Sequence, residues 1–96
     1  MPALFIAIRE RTRDAAEMET YSALARQTLA GRAFRLLARY EGHDGLEGPE
    51  PEAVLVMEFP TMADARAWYH SDDYRAALRH RNMGADYRVL LVETKE

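Results

Sequence analysis

Cysteine is missing altogether, which excludes a disulfide framework, a thiolate metal site and a cysteine nucleophile. A long apolar run is missing too, since no segment approaches the roughly 20 residues needed to span a bilayer. Ala3 to Ile8 is also shorter than the apolar core of a signal peptide, and no basic region precedes it. Basic charge is not in excess: 13 Lys and Arg face 16 Asp and Glu, for a formal net charge of -3. Such a balance gives no drive toward nucleic acid, which would need a basic face. Arg79, His80 and Arg81 form a small basic cluster that reads as a solvated helix face. No His-x-x-x-His or Glu-x-x-His pattern occurs, so a histidine metal site has no support. Gly42, Gly45 and Gly48 carry no following Lys-Ser/Thr, so they form no phosphate loop, and Ser22 and Ser71 read as a helix residue and a cap. These absences lead to the expectation of a cytoplasmic protein with neither metal nor cofactor.

What remains is ordinary globular composition, 48% hydrophobic and 30% charged. Its 96 residues are expected to form a single domain, residues 1–96. A chain of this length buries only about 60–65% of its unfolded surface. The core is therefore thin, and association would help it.

The apolar run Ala3 to Ile8 has strand length and is closed by Arg9-Glu10-Arg11. Being apolar at every position, it predicts a strand covered on both faces. Asp14, with Glu17 three residues on, starts a helix whose apolar face carries Met18, Tyr21, Ala25, Thr28 and Leu29; Gly31 stops it. Phe34 to Tyr40 alternates, with Phe34, Leu36, Ala38 and Tyr40 facing one way, which predicts a half-exposed edge strand. Glu41 to Glu52 is rich in Gly and Pro and reads as a loop. Ala53 to Met57 is a second all-apolar strand, ending at Glu58-Phe59-Pro60. Thr61 caps the next helix, a fresh cap at Ser71 breaks it, and the second piece runs through Asn82 with Gly84 closing it. Tyr87 to Val92 is the last strand, and Glu93 to Glu96 form a polar tail.

The order β-α-β-β-α-β, with right-handed crossovers, predicts an α+β, ferredoxin-like fold: a four-stranded antiparallel sheet with its helices on one face. The two central strands are the two uninterrupted apolar runs. Their second face has no helix to cover it, and exposed apolar patches of several hundred Å² are rare on monomers. A second copy packed sheet to sheet would cover it, giving a homodimeric α/β barrel. The alternative is a monomer whose C-terminal residues fold over the sheet.

Between positions 54 and 78 the residues resemble a known pattern. Glu58-Phe59-Pro60-Thr61, Trp68-Tyr69, Ser71, Tyr74 and Leu78 are similar to the E-F-P-S, W-Y, S, Y and L of the bacterial family catalogued as domain of unknown function 1330. Leu46-Glu47-Gly48 falls where that family often has L-E-G. Gly31-Arg32-Ala33 stands where its members commonly show a Gly-Gly pair. The resemblance spans essentially the whole chain. It implies a ferredoxin-like fold forming a dimeric α/β barrel and no established activity.

Five residues are candidates for ligand binding: Arg9, Glu58, Trp68, Tyr69 and Tyr74. Glu58 ends a buried strand on the face of Val54 and Val56. Arg9 ends the first strand, which is expected to lie beside the third and parallel to it. The two would then meet at one sheet end, as a carboxylate anchor or a poised base, or simply as a structural ion pair. Trp68, Tyr69 and Tyr74 gather at the helix break, where they would form pocket walls or core. Glu58, His43 in the loop and the Tyr74 hydroxyl are the candidates for proton transfer, His43 being otherwise a solvated loop residue. The leading expectation is a dimeric binding protein with a small-metabolite pocket between helices and sheet. The alternatives are a cofactor-independent enzyme, monooxygenase- or isomerase-like, on a small aromatic or carboxylated metabolite, and an interaction module without a ligand.

Overall fold

Seven elements follow one another in the computed structural model, which describes residues 1–40 and 42–95. They are β1 (Ala3–Thr12), α1 (Ala15–Thr28), β2 (Arg35–Arg39), β3 (Ala53–Phe59), α2 (Met62–Tyr69), α3 (Asp72–Gly84) and β4 (Ala85–Glu93). Each helix begins at the predicted cap. Asp14 accepts from the amides of Ala16 and Glu17, Thr61 from Asp64, and Ser71 from Tyr74. Because Ser71 satisfies the amides of a new first turn, the chain changes direction between α2 and α3 as expected. Of the predicted loop, residues 42–52 connect β2 to β3; Glu41, and Glu96 in the tail, lie outside the described residues.

The sheet has the order β2-β3-β1-β4 with every neighbouring pair antiparallel. The expected parallel run of the first and third strands is thereby overturned. The crossover through α1 brings β2 back in the direction of β1, one strand away. The following connection reverses the chain, so β3 fills the gap antiparallel to β1. Leu4 consequently faces Glu58 while Arg9 faces Ala53, at the other end of the ladder. β1 also runs on past Arg9 to Thr12, because β4 begins at Ala85 and pairs with that extension through a register shift between Arg9 and Arg11.

Side chains alternate between two unlike faces. Ala3, Phe5, Ala7, Met57 and Phe59 are buried beneath the helices. Leu4, Ile6, Ile8, Val54 and Val56 point the other way and are only half-buried, and beside them Leu90 and Val92 are exposed. No described element covers this second face. β2 is an exposed edge strand as predicted, but its alternation is broken by a register shift between Leu36 and Ala38. Leu36 therefore pairs with Met57 on the helical side and Ala38 with Val56 on the open side.

The core is aromatic. Trp68 packs edge-on to Phe5 at 5.0 Å, stacks on Phe59 at 5.4 Å and lies 4.3 Å from Tyr74. Its indole N–H is satisfied in the interior by the hydroxyl of Thr28, 2.9 Å away. Gly84 ends α3 without adopting the left-handed conformation expected of a glycine stop. The carbonyls there are taken by Arg13, whose guanidinium donates to Asn82, Met83 and Ala85. The amides of Arg13 and Asp14 donate to Gly84 itself. Glycine is needed for another reason: a Cβ at this position would come within 3.0 Å of Met18 and 3.1 Å of the Glu17 Cβ.

Candidate functional site

Between α1 and the β2–β3 side of the sheet lies a cavity of about 240 Å³. One turn after another of α1 supplies a wall, Tyr21, Ser22, Ala25 and Arg26, with Leu29 at its C-cap. Opposite stand Leu36 and Arg39 of β2 and Leu55 and Met57 of β3, with Phe5 and Trp68 beneath and Phe34 and Tyr40 at the ends of β2. The β2 register shift makes this lining possible, because it turns Leu36 and Arg39 to the helical side opposite Met57 and Leu55. An apolar body with a few convergent polar groups is the usual make-up of a small-molecule site. Among the described residues no carboxylate lines the cavity, and neither Arg26 nor Arg39 has an acidic partner within 4.0 Å.

Tyr40 stands out in the backbone. It is a non-glycine residue with positive φ, 65°, a conformation that is uncommon outside glycine and held only where neighbours enforce it. Its amide donates to the Val54 carbonyl at 2.7 Å, its carbonyl receives His43 Nδ1 at 3.1 Å, and the Arg9 guanidinium sits 5.6 Å over its ring.

Behind the cavity wall runs a hydrogen-bonded row of side chains. The Tyr21 and Tyr74 hydroxyls lie 2.7 Å apart, and Arg81 Nη1 donates to the Tyr74 oxygen at 3.3 Å. Tyr74 is fully buried and Arg81 is 6% exposed. The guanidinium lies 4.7 Å over the Tyr87 ring and 6.0 Å over that of Tyr21, while its Nε has no hydrogen-bond partner among the described residues. Burial pushes the Tyr21 hydroxyl well above its ordinary value of 10.0, and the neighbouring Tyr74 adds to this while Arg81 opposes it. Burial raises Tyr74 as well, and raises Tyr87 to about 12.

The expected candidates are distributed differently. Arg9 and Glu58 do not pair, being at opposite ends of antiparallel strands and on opposite faces. Arg9 instead holds Glu52 at 3.1 Å, a carboxylate also bonded by the Thr12 hydroxyl at 2.7 Å. Those contacts, Thr12 first, hold the Glu52 carboxyl below its ordinary range. Glu58 forms an ion pair with Arg35 at 2.9 Å and borders a separate recess near Pro2 and Pro60, which shares only Phe34 with the lining of the cavity. His43 is tied into its loop: Nδ1 meets the Tyr40 carbonyl, Nε2 the Pro51 carbonyl at 3.0 Å, and the Glu50 carboxylate lies 3.2 Å away. Trp68 both builds core and floors the cavity. Tyr69 packs at the helix break, 5.5 Å from Tyr74, and neither tyrosine lines the cavity.

Two residues carry more than the sequence pattern implies. Tyr21 lies on the expected helix face of α1 and also bonds Tyr74 through its hydroxyl. Arg81, expected on a solvated face, is buried. Its position carried a signal: Tyr74, Ala77, Arg81 and Gly84 fall at helical spacing on one stripe, and all four are buried.

Solved structures share this architecture. A protein of unknown function from Rhodopseudomonas palustris superposes with a TM-score of 0.79 at 17% identity, covering 99% of this chain and 83% of that one. A protein from Bacteroides fragilis, described as dimeric, of unknown function and ferredoxin-like, matches with a TM-score of 0.64 at 14% identity over 97% and 96% of the two chains. SnoaB, a cofactor-independent oxygenase from Streptomyces nogalater, matches with a TM-score of 0.65 at 9% identity over 99% and 94%. At such identities the likeness is one of fold. No curated protein matches the sequence. A family model does match, from residue 2 to residue 95, and it covers the Glu58 to Leu78 pattern, the caps and all four strands: the chain belongs to the family described as domain of unknown function DUF1330.

Proposed function

We propose that this protein is a homodimeric binding protein that takes a small metabolite into the cavity between α1 and the sheet. The observation that carries this is the cavity itself, apolar on most sides, with Tyr21, Ser22, Arg26 and Arg39 brought to it from two different elements. Its volume of about 240 Å³ lies below the roughly 300–1,000 Å³ of sites for drug-sized ligands, which points to a compact metabolite. The dimer is supported by the uncovered sheet face, where Leu4, Ile6, Ile8, Val54 and Val56 lie beside exposed Leu90 and Val92. The Bacteroides fragilis structure of the same fold is described as dimeric.

A ligand that binds only the folded chain must raise its stability. A thermal-shift screen against pooled small metabolites therefore tests the pocket, and a full metabolite collection that moves no melting temperature would refute it. Light scattering at micromolar concentration tests the dimer, and a monomer mass there would overturn it.

The enzyme alternative rests on a narrower base. Glu58 and His43 already hold partners and neither lines the cavity, so proton transfer would fall to the Tyr21–Tyr74 pair behind its wall. Turnover of a bound metabolite without added cofactor, abolished by Tyr21→Phe with binding retained, would favour that reading over simple binding.

A further inference from the structure

The hydrogen-bonded row behind the cavity has a direction. A guanidinium carries donors only, so at the Arg81–Tyr74 contact the Tyr74 oxygen is the acceptor. Tyr74 is fully buried, and the acceptor its own proton finds among the described residues is the Tyr21 oxygen, 2.7 Å away. Either direction leaves one hydroxyl proton without a protein acceptor, and because Tyr74 is fully buried while Tyr21 lines the cavity, the free proton is assigned to Tyr21. Tyr21 is therefore left with a proton and, among the described residues, no acceptor for it. Tyr21 borders the cavity, whereas Tyr74 and Arg81 do not.

We infer that the cavity accepts a compact apolar or aromatic carboxylate, with Tyr21 as the hydrogen-bond donor to its acid group and Arg26 and Arg39 as the flanking cations. The inference rests on the pocket proposed above and adds the chemistry of the occupant. Three observations converge on it. In the assigned direction the row from Arg81 ends on Tyr21, which lines the cavity, and a buried cation at its far end strengthens that donor. Two arginines line opposite walls, Arg26 from α1 and Arg39 from β2, and among the described residues no carboxylate lines the cavity beside them. Apart from Ser22 and Tyr40, the remaining lining is hydrocarbon and aromatic ring, suited to the body of the ligand and not to a sugar or a phosphate ester. Burial keeps the Tyr21 hydroxyl protonated across the ordinary pH range, so it stays a donor.

The probes are three molecules with one body: 3-phenylpropionate, its neutral amide 3-phenylpropionamide, and n-propylbenzene. Titrations followed by amide-resolved NMR on the full chain are expected to show the carboxylate binding about tenfold or more tighter than the hydrocarbon, through charge-assisted hydrogen bonds. Tyr21→Phe is expected to weaken both the carboxylate and the amide about tenfold and leave n-propylbenzene unchanged. Arg26→Gln and Arg39→Gln are expected to weaken the carboxylate alone, and to reduce the salt dependence of its binding. Unchanged n-propylbenzene affinity in each variant shows that the fold and cavity survive. If n-propylbenzene binds as tightly as 3-phenylpropionate, or Tyr21→Phe leaves all three affinities equal to wild type, the pocket stands and the carboxylate inference falls. If none of the three perturbs residues around the cavity, both the inference and the pocket beneath it are overturned.

Discussion

Thr28 shows how one hydroxyl can hold a helix to the core. It accepts the Trp68 indole N–H at 2.9 Å and donates to the Ala25 carbonyl at 2.7 Å, so both of its polar roles are used inside the protein. Thr28→Val keeps the shape and removes both bonds, leaving the indole N–H buried and unsatisfied. It is expected to lower unfolding free energy by about 1–3 kcal/mol in urea titration, with a change in tryptophan fluorescence of the native state. An unchanged denaturation midpoint would show that water replaces the hydroxyl. The tyrosines make a separate prediction for alkaline pH. In the unfolded chain they ionise near 10.0, whereas folding pushes Tyr21 and Tyr74 upward and Tyr87 to about 12. Between those values the unfolded state has lost protons that the native state keeps, so stability is full below about pH 10 and falls as pH rises toward 12. The phenolate absorbance of these buried rings is expected to appear together with unfolding. A native fold retained with all five tyrosines ionised would contradict the burial argument.

At the scale of elements, α1 and α3 approach closely where Gly84 faces Met18 and Glu17. Met18 can swing aside, but the Glu17 Cβ is fixed to its backbone, so Gly84→Ala is expected to cost about 1 kcal/mol despite the better helix propensity of alanine. Its measure is the urea midpoint, and a stabilised variant would mean that the two helices part without cost. The helices and strands were largely visible in the residues themselves. Asp14, Thr61 and Ser71 marked helix starts because a capping side chain acts within three residues of its own position. The two all-apolar runs became the central strands, where strands on both sides half-bury even the side chains of the uncovered face. Long-range geometry was harder. The Glu58 face was read correctly, yet its pairing with Arg9 was not, because side-chain parity fixes the face of a strand and not its direction. The β2 register shift, which turns Leu36 and Arg39 to the cavity side, is marked only by Leu37, an apolar residue on the otherwise charged face of the run. One such residue does not by itself distinguish a bulge from a regular strand. Arg81 was hidden by its charge: its helical stripe placed it inward, but basic residues are rarely buried without a counter-ion.

For the whole molecule, the two faces of the sheet divide the work. One face and its helices border the cavity, while on the other Leu4, Ile6, Ile8, Val54 and Val56 would meet the proposed second copy. Ile6→Lys places a charge in the middle of that open face, between Val56 and Leu90. It is expected to shift light-scattering mass from dimer to monomer while leaving the helix signal in circular dichroism intact. A dimer of unchanged affinity would place the interface elsewhere. The ends of the chain sit together at one corner, where Thr94 donates through both its amide, at 2.9 Å, and its hydroxyl, at 3.1 Å, to the Pro2 carbonyl. β1 and β4 leave that corner as antiparallel neighbours, from Ala3 opposite Glu93 inward. A force applied to the two ends would therefore load their cross-strand bonds one pair at a time, as in opening a zip, and not all together in shear. The corner is the molecule's mechanical weak point: tension opens β4 from β1 there first, far along the ladder from the Arg13 contacts that close its other end.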